Sequence, residues 1–353
     1  MPDAGDAPPG SNPPSPTPGD DAAAFDSLAH GGPAARSFLR ARWFAAPPQG
    51  AADRFVLRDG EGRPQAALAL AERRKGPLRL REVAGPYWPF RGIPLAADVS
   101  PEALAPLLRA QAARFGRVWR MGPVLADCGQ SAMLVAAARL AGWRVLTRPI
   151  GQAFIVDLAA LKTRGTWPST KGAQKDRWRV RQMAKQGPVS IRFYSGTDWS
   201  AADRDAIAAI EARSWVGQLE RGGDTKFHDP ALRACWEEAA RDPALAAMIR
   251  GMLLFVGERP VAFTFGLDCG TTRYCIANNY DRDFARHSPG RVLLYADFEA
   301  AHARGIERVD WGLGDAGYKS DMGAAPGPAM HDLLFVRAPV LPALLRRWWE
   351  RPA

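Results

Sequence analysis

A chain of 353 residues is longer than one hydrophobic core usually supports, so two domains of about 150 residues each are expected, and 47% hydrophobic residues with both charge signs well represented exclude a disordered or fibrous protein. The formal charge is +10, and because residues 1–24 hold four Asp and no Lys or Arg, the rest of the chain carries +14, a surface suited to anionic partners. Four cysteines without a CxxC pair exclude a disulfide scaffold, while the acidic, Pro-rich start and the lack of any run of about 18 apolar residues predict a cytoplasmic protein.

In chain order, residues 1–24 hold seven Pro and three Gly and few large apolar groups, which predicts a disordered tail. Phe55–Arg58 and Gln65–Leu70 read as a hairpin about a Gly- and Pro-containing turn, and Leu78–Val83 as a third strand. From Pro101 to Phe115 the apolar residues Leu104, Leu107, Leu108 and Phe115 share one helical face. A strand at Val118–Met121, a helix at Ser131–Leu140 and a strand from Trp143 complete this half. The second half repeats the plan: a hairpin over 252–267, a strand at Thr272–Asn279, a helix from Pro289 to Arg304, a strand at 308–311 and a last strand at 332–337. Glu61-Gly-Arg-Pro64 and Gly257-Glu-Arg-Pro260 occupy matching hairpin turns. Two copies of one α/β unit follow, each with a mixed sheet: residues 25–160 and residues 161–353.

Between them Ser169 or Thr170 can cap a helix that Gly187-Pro188 ends. This segment, 170–187, is strongly basic: Lys171, Lys175 and Arg179 form one i,i+4 stripe, and Arg177, Arg181 and Lys185 another. Trp167 and Trp178 lie beside it, which is compatible with nucleic-acid contact or with a solvated helix face. His30, His228, His287, His302 and His331 lack metal-ligand spacing, and no nucleophile-elbow or P-loop string occurs, so no metal is expected.

The stretch from Tyr280 to Lys319 carries the most chemistry. A strand ends near Asn279, and Ser288-Pro-Gly290 opens a helix, with Pro suited to its first turn. Ser288 as cap would leave the N–H groups of Gly290, Arg291 and Val292 facing the helix mouth beside the positive dipole end, a phosphate-binding geometry. The bland alternative is a plain helix start.

Taken together, Glu211-Ala-Arg-Ser-Trp215, Tyr280-Asp281, Ser288-Pro-Gly290, Asp310-Trp-Gly-Leu-Gly314-Asp315 and Tyr318-Lys319 resemble the CelD-type acetyltransferase domain of the GNAT superfamily over roughly residues 150–337. Residues 38–150 resemble the degenerate first GNAT unit of tandem, Fem-like proteins. The resemblance implies transfer of an acyl group from acetyl-CoA or another acyl-CoA to an amine or hydroxyl of a small molecule, sugar, polysaccharide or cell-envelope precursor. It implies cofactor contacts at Ser288, Gly290, Arg291, Val292 and Lys319. Of the usual pyrophosphate-loop pattern, His287, Gly290 and Val292 preserve only the Gly. Asp281 and Glu211 are the candidate bases, and Tyr280 or Tyr318 the donor to a leaving thiolate. Backbone N–H groups near Ala277–Asn279 are candidates for holding the thioester oxyanion. Trp215 and Asp310 are expected at the acceptor. In Fem-type relatives the acyl donor is an aminoacyl-tRNA, and a basic surface would suit that partner; a GNAT scaffold retained only for binding is the third reading.

Overall fold

The computed structural model describes residues 18–75, 78–86, 91–165, 167–218, 225–315, 317–337, 345, 346 and 349. Helix α1 (Pro18–Gly31) leads into short 3-10 segments at 34–36 and 41–44, so ordered structure takes in residues that composition alone assigned to the tail; the remainder of that tail, residues 1–17, lies outside the described residues. The hairpin β1 (Ala52–Arg58) and β2 (Pro64–Lys75) follows, then β3 (Leu78–Val83), α2 (Pro101–Ala110), α3 (Ala112–Phe115), β4 (Val118–Leu125), α4 (Gly129–Leu140) and the long β5 (Arg144–Asp157). Helices α5 (Leu158–Thr163) and α6 (Thr170–Met183) lead to β6 (Val189–Ser195), α7 (Ala201–Arg213), α8 (Pro230–Ala239) and α9 (Pro243–Met248). The chain ends with β7 (Ile249–Val256), β8 (Arg259–Cys269), β9 (Thr272–Tyr280), α10 (Pro289–Ala303), β10 (Arg308–Leu313), α11 (Tyr318–Asp321) and β11 (Ala325–Val336).

All the strands form one 11-stranded sheet in the order β1-β2-β3-β4-β11-β5-β10-β9-β8-β7-β6. With the additional edge strand β6 set aside, that order is symmetric about the β11–β5 boundary. The two parallel pairs, β3 with β4 and β9 with β10, occupy equivalent places. Beside each stands the last strand of the other half: β11 pairs antiparallel with β4, β5 pairs antiparallel with β10, and β11 and β5 pair with each other. The two halves thus exchange their final strands and share one sheet.

Both faces are covered, which the burial alternation of β2 makes plain. Ala66, Leu68 and Leu70 join the cluster under α2 and α4, while Ala67, Ala69 and Ala71 join Phe25, Trp43, Trp236 and Phe265 on the opposite face. This second cluster spans the halves, because α1, α7 and α8 contribute to it together. Helix α10 packs on its own face through Leu294, Phe298 and Ala301 against Val309 and Trp311. A buried Arg273 on β9 fixes it there, donating to Asp268 at 2.7 Å and to Asp297 of α10 at 2.9 Å. Among the described residues no helix is long and apolar enough to cross a membrane.

Candidate active site

The parallel ladder between β9 and β10 lasts for three residue pairs, Arg308 with Thr272, Val309 with Arg273 and Asp310 with Tyr274. Beyond that point β9 runs on to Tyr280 against β8 and β10 to Leu313 against β5 without pairing with each other, so the two strands part and, among the described residues, the β9 backbone has no strand partner on that side. Just past the apex the β8–β9 register shifts, leaving Ile276 as an extra residue. Gly266 stands opposite this bulge, where a Cβ would come within 2.4 Å of the Tyr274 carbonyl oxygen. Bulges re-aim the backbone next to active sites, and here the re-aimed residues are Ala277–Asn279, the stretch expected to present an N–H to an oxyanion.

Side chains alone span the opening. The Trp311 indole lies 3.4 Å from the Asn278 side-chain oxygen, and Tyr318 meets Trp311 edge-on at 5.5 Å. Burial pushes the Tyr318 phenol above its ordinary pKa, with Asn278 pulling the other way, so it stands as a neutral O–H donor.

At the mouth of the opening stands the N-terminus of α10. Ser288 has φ 46° and ψ 52°, the one non-glycine in the left-handed region among the described residues. Such strain concentrates at functional sites. Its hydroxyl makes no cap hydrogen bond, contrary to the expectation of a side-chain cap. The Arg291 and Val292 N–H groups both donate to the Ser288 carbonyl, at 3.1 and 3.3 Å, so of the three expected free donors only Gly290 retains an unengaged N–H. Gly290 is also held by space, since a Cβ there would lie 3.0 Å from the Tyr280 ring. That contact makes Tyr280 the wall behind the turn. Arg291 turns back along the helix to the Tyr295 hydroxyl, at 3.2 Å, and the Val292 side chain is core. The first turn of α10 contains no acidic residue.

The two candidate bases are fasteners in this fold. Glu211 is wholly buried and accepts the backbone N–H groups of Lys226, Phe227 and His228, each at 2.8 Å. Burial pushes its pKa up against the pull of those three donors. Asp281 is buried between Arg213 and Arg259, both at 2.6 Å, and caps the following 3-10 turn through the Asp283 N–H. Burial opposes its charge, but the two guanidiniums win and its pKa is lowered. A carboxylate held by two arginines is a poor proton acceptor. Lys319, expected on a phosphate, is buried and donates to the carbonyls of Trp311 (2.8 Å), Leu313 (3.1 Å) and Gly314 (2.7 Å), knotting the loop that edges the opening.

Trp215 is 58% exposed. Asp310 is buried, with 3% of its surface exposed, and accepts the Gly312 N–H at 2.9 Å. Desolvation raises its pKa. It faces away from α10 into a separate cavity, so the opening and Asp310 lie on the two sides of the sheet. Sequence reasoning missed Asn278 and Trp311 as the residues spanning the gap; both stood inside motifs quoted from the sequence, and only the parting of the strands reveals their place.

On α6, Lys171, Lys175, Arg177 and Arg181, with Lys185 in the turn just past it, are exposed around Trp178, whereas Arg179 turns inward to pair with Asp176 at 2.5 Å. Arg179 therefore does not belong to the exposed basic face. Among the described residues no group of three His, Cys, Asp or Glu side chains could hold a metal ion.

Residues 170–320 match the family model described as an acetyltransferase (GNAT) domain. Among curated proteins nothing matches. The chain is similar to the solved structure of FemX, with 13% identity, 91% of this chain and 97% of that chain covered, and a TM-score of 0.60. It is also similar to the C-terminal domain of a protein assigned as a lysylphosphatidylglycerol synthetase from Agrobacterium fabrum, at 13% identity over 93% of this chain and 94% of that one with a TM-score of 0.54. L-PGS from Bacillus licheniformis gives 14% identity, 93% and 96% coverage and a TM-score of 0.53. At these identities the likeness concerns the fold, and it extends over both halves. Residues 170–320 thus carry the match to an acetyltransferase (GNAT) domain, and the fold of the whole chain is similar to that of FemX.

Proposed function

We propose that this protein is an acyl-CoA-dependent acyltransferase that acylates an amine or hydroxyl of a small molecule, sugar or cell-envelope precursor, with residues 161–353 carrying the chemistry and residues 25–160 acting as scaffold. The observation that carries the reading is the parting of β9 and β10 after Tyr274 and Asp310, with the uncapped α10 N-terminus at its mouth. An extended thioester arm fits such a gap, because the unpaired edge of β9 can hydrogen-bond to it as a strand would. The phosphates would meet the Gly290 N–H and the positive end of the helix, and Ala277–Asn279 would hold the carbonyl oxygen as it gains charge.

Tyr318, whose phenol is held neutral, would protonate the departing thiolate. Glu211, Asp281 and Lys319 keep the walls in position: the first fastens residues 226–228, the second ties β9 to Arg213 and Arg259, and the third closes the loop after β10. Titration with acetyl-CoA and longer acyl-CoAs followed by thermal shift tests the reading, since a ligand that binds only the folded state raises the melting temperature. No shift with any of them, or a shift that Gly290→Glu leaves intact, would count against it.

The exposed face of α6 favours a second reading, in which aminoacyl-tRNA is the donor. Five cations around an exposed indole suit a polyphosphate backbone. Salt-sensitive tRNA binding lost on reversing Lys175, Arg177 and Arg181 would support it, and failure to bind added tRNA at low salt would exclude it.

A further inference from the structure

A cavity of about 240 Å³ lies where the two halves meet, on the face of the sheet opposite α10. Arg36 from the N-terminal segment, Asp127 and Cys128 before α4, and Tyr274, Arg308 and Asp310 of the second half line it. Tyr274 and Asp310 are also the last pair of the parallel ladder, so this cavity touches the apex of the opening between β9 and β10 from the other side. Its volume is below the roughly 300–1,000 Å³ of pockets for drug-sized ligands, which limits the occupant to a small molecule.

Its chemistry is two-signed. Asp310 is almost wholly buried and accepts the Gly312 N–H; Arg36, Lys319 and Arg308 act on its charge, and desolvation still outweighs them. A buried carboxylate that its own cations do not fully compensate favours a ligand that brings another. Arg36, which also acts on Asp310, stands beside Cys128, the residue that opens the 12-residue helix α4 and whose sulfur takes up the Gln130 and Ser131 donors at the positive end of that helix. Tyr274 holds the wall between them, its hydroxyl donating to the Ala35 carbonyl at 2.7 Å.

We infer that this cavity is the acceptor site and that it takes a small zwitterion bearing a primary ammonium and a carboxylate, a molecule of the amino-acid class, with the ammonium on Asp310 and the carboxylate toward Arg36 and the start of α4. This assignment rests on the acyltransferase reading and narrows its acceptor. In the transfer, the ammonium gives one proton to Asp310 and the freed amine attacks the thioester carbonyl. A C–N bond forms as the C–S bond breaks, Tyr318 protonates the departing thiolate, and the second proton from nitrogen restores the Tyr318 hydroxyl. Asp310 returns its own to solvent.

Cys128 supplies the readout. Burial pushes against its ionisation, but Arg36 and the donors of Ser131 and Gln130 prevail and the thiol pKa is lowered. Burial pushes Cys235, Cys269 and Cys275 up to about 11, 12 and 12. Iodoacetamide should therefore label Cys128 first, since the thiolate is the reactive form. The experiment measures that labelling by intact mass in the presence of L-amino acids, each beside its decarboxylated amine and its deaminated acid. The expected result is about tenfold or greater protection by at least one amino acid and by neither of its fragments. Calorimetric titration of the same panel gives a readout independent of the thiol, and Asp310→Asn should weaken the binding by about tenfold or more. Equal protection by the amine alone, no binding by any amino acid, or binding that Asp310→Asn leaves unchanged would each overturn the assignment. Acyl-CoA thermal shift on the same sample separates the two claims: a shift without amino-acid binding removes the acceptor class alone, and no shift removes the reading beneath it.

Discussion

The two halves share one plan and treat the same place in opposite ways. In the first, β3 and β4 pair at Arg81 with Trp119 and at Glu82 with Arg120, and the chain then returns to fill the space beyond. The Arg91 N–H donates to Pro123 at 3.2 Å, the Ala67 N–H to Pro94 at 3.1 Å, and Leu95 bridges to Ala66. Arg120 binds Glu82 and Asp332, and Arg148 binds Asp332, which locks the strand exchanged from the other half. Ser100 caps α2 with its hydroxyl and Glu102 sits in the first turn, so this helix mouth is satisfied and repels anions. In the second half the backbone does not return, the helix mouth has no side-chain cap and no acid, and the space stays open. The opening is thus filled in the first half and open in the second, and the difference lies in a few residues at the strand ends.

The largest effect should come from the plug. Asp332→Ala leaves Arg120 and Arg148 without their shared carboxylate in a mostly buried place, and should cost about 3–5 kcal/mol in urea melts while leaving acyl-CoA affinity of the folded protein unchanged. Next is the open mouth: Gly290→Glu drives a side chain into Tyr280 and sets a negative charge where the phosphates would lie. Acyl-CoA affinity should fall by about a hundredfold or more, roughly 2.7 kcal/mol by calorimetry. Lys319→Met orphans three carbonyls and should cost about 1–3 kcal/mol of stability. Were Lys319 a phosphate ligand instead, affinity for acyl-CoA and for its dephosphorylated analogues would change far more than stability.

The smallest effect is a pH dependence. The Asp281 pKa is lowered in the folded protein relative to about 3.9 unfolded, so its pairs with Arg213 and Arg259 contribute stability fully present above that value and lost as pH falls through the folded pKa. Melts between pH 3 and pH 6 should show a steeper acid loss in the wild type than in Asp281→Asn. Identical slopes would mean that Asp281 is not ion-paired in solution.

Much of this fold was legible in the sequence because its signals are local. Hairpins at β1–β2 and β7–β8, the apolar face of α2 and the Ser-Pro-Gly start of α10 all follow from short-range periodicity and turn chemistry. The exchange of β5 and β11 was not, since pairing between Arg144 and Val336 depends on strand ends far apart in the chain. Strand β6 and helices α7–α9 also escaped, β6 because an edge strand whose side chains mostly face solvent has little burial pattern to read. The site divided along the same line. The helix start at Ser288-Pro-Gly290 was legible, whereas the bonding partners of Glu211, Asp281 and Lys319 were not: a carboxylate that binds three N–H groups 15–17 residues away looks in sequence like any acid on a helix.

Hydrogen–deuterium exchange with and without acyl-CoA tests the contrast between the halves most directly. Protection should appear at residues 276–280, 288–292 and 312–319 and be absent at 81–86, 91–96 and 100–104. Protection at the first-half segments, or none at the second-half ones under saturating acyl-CoA, would contradict the account.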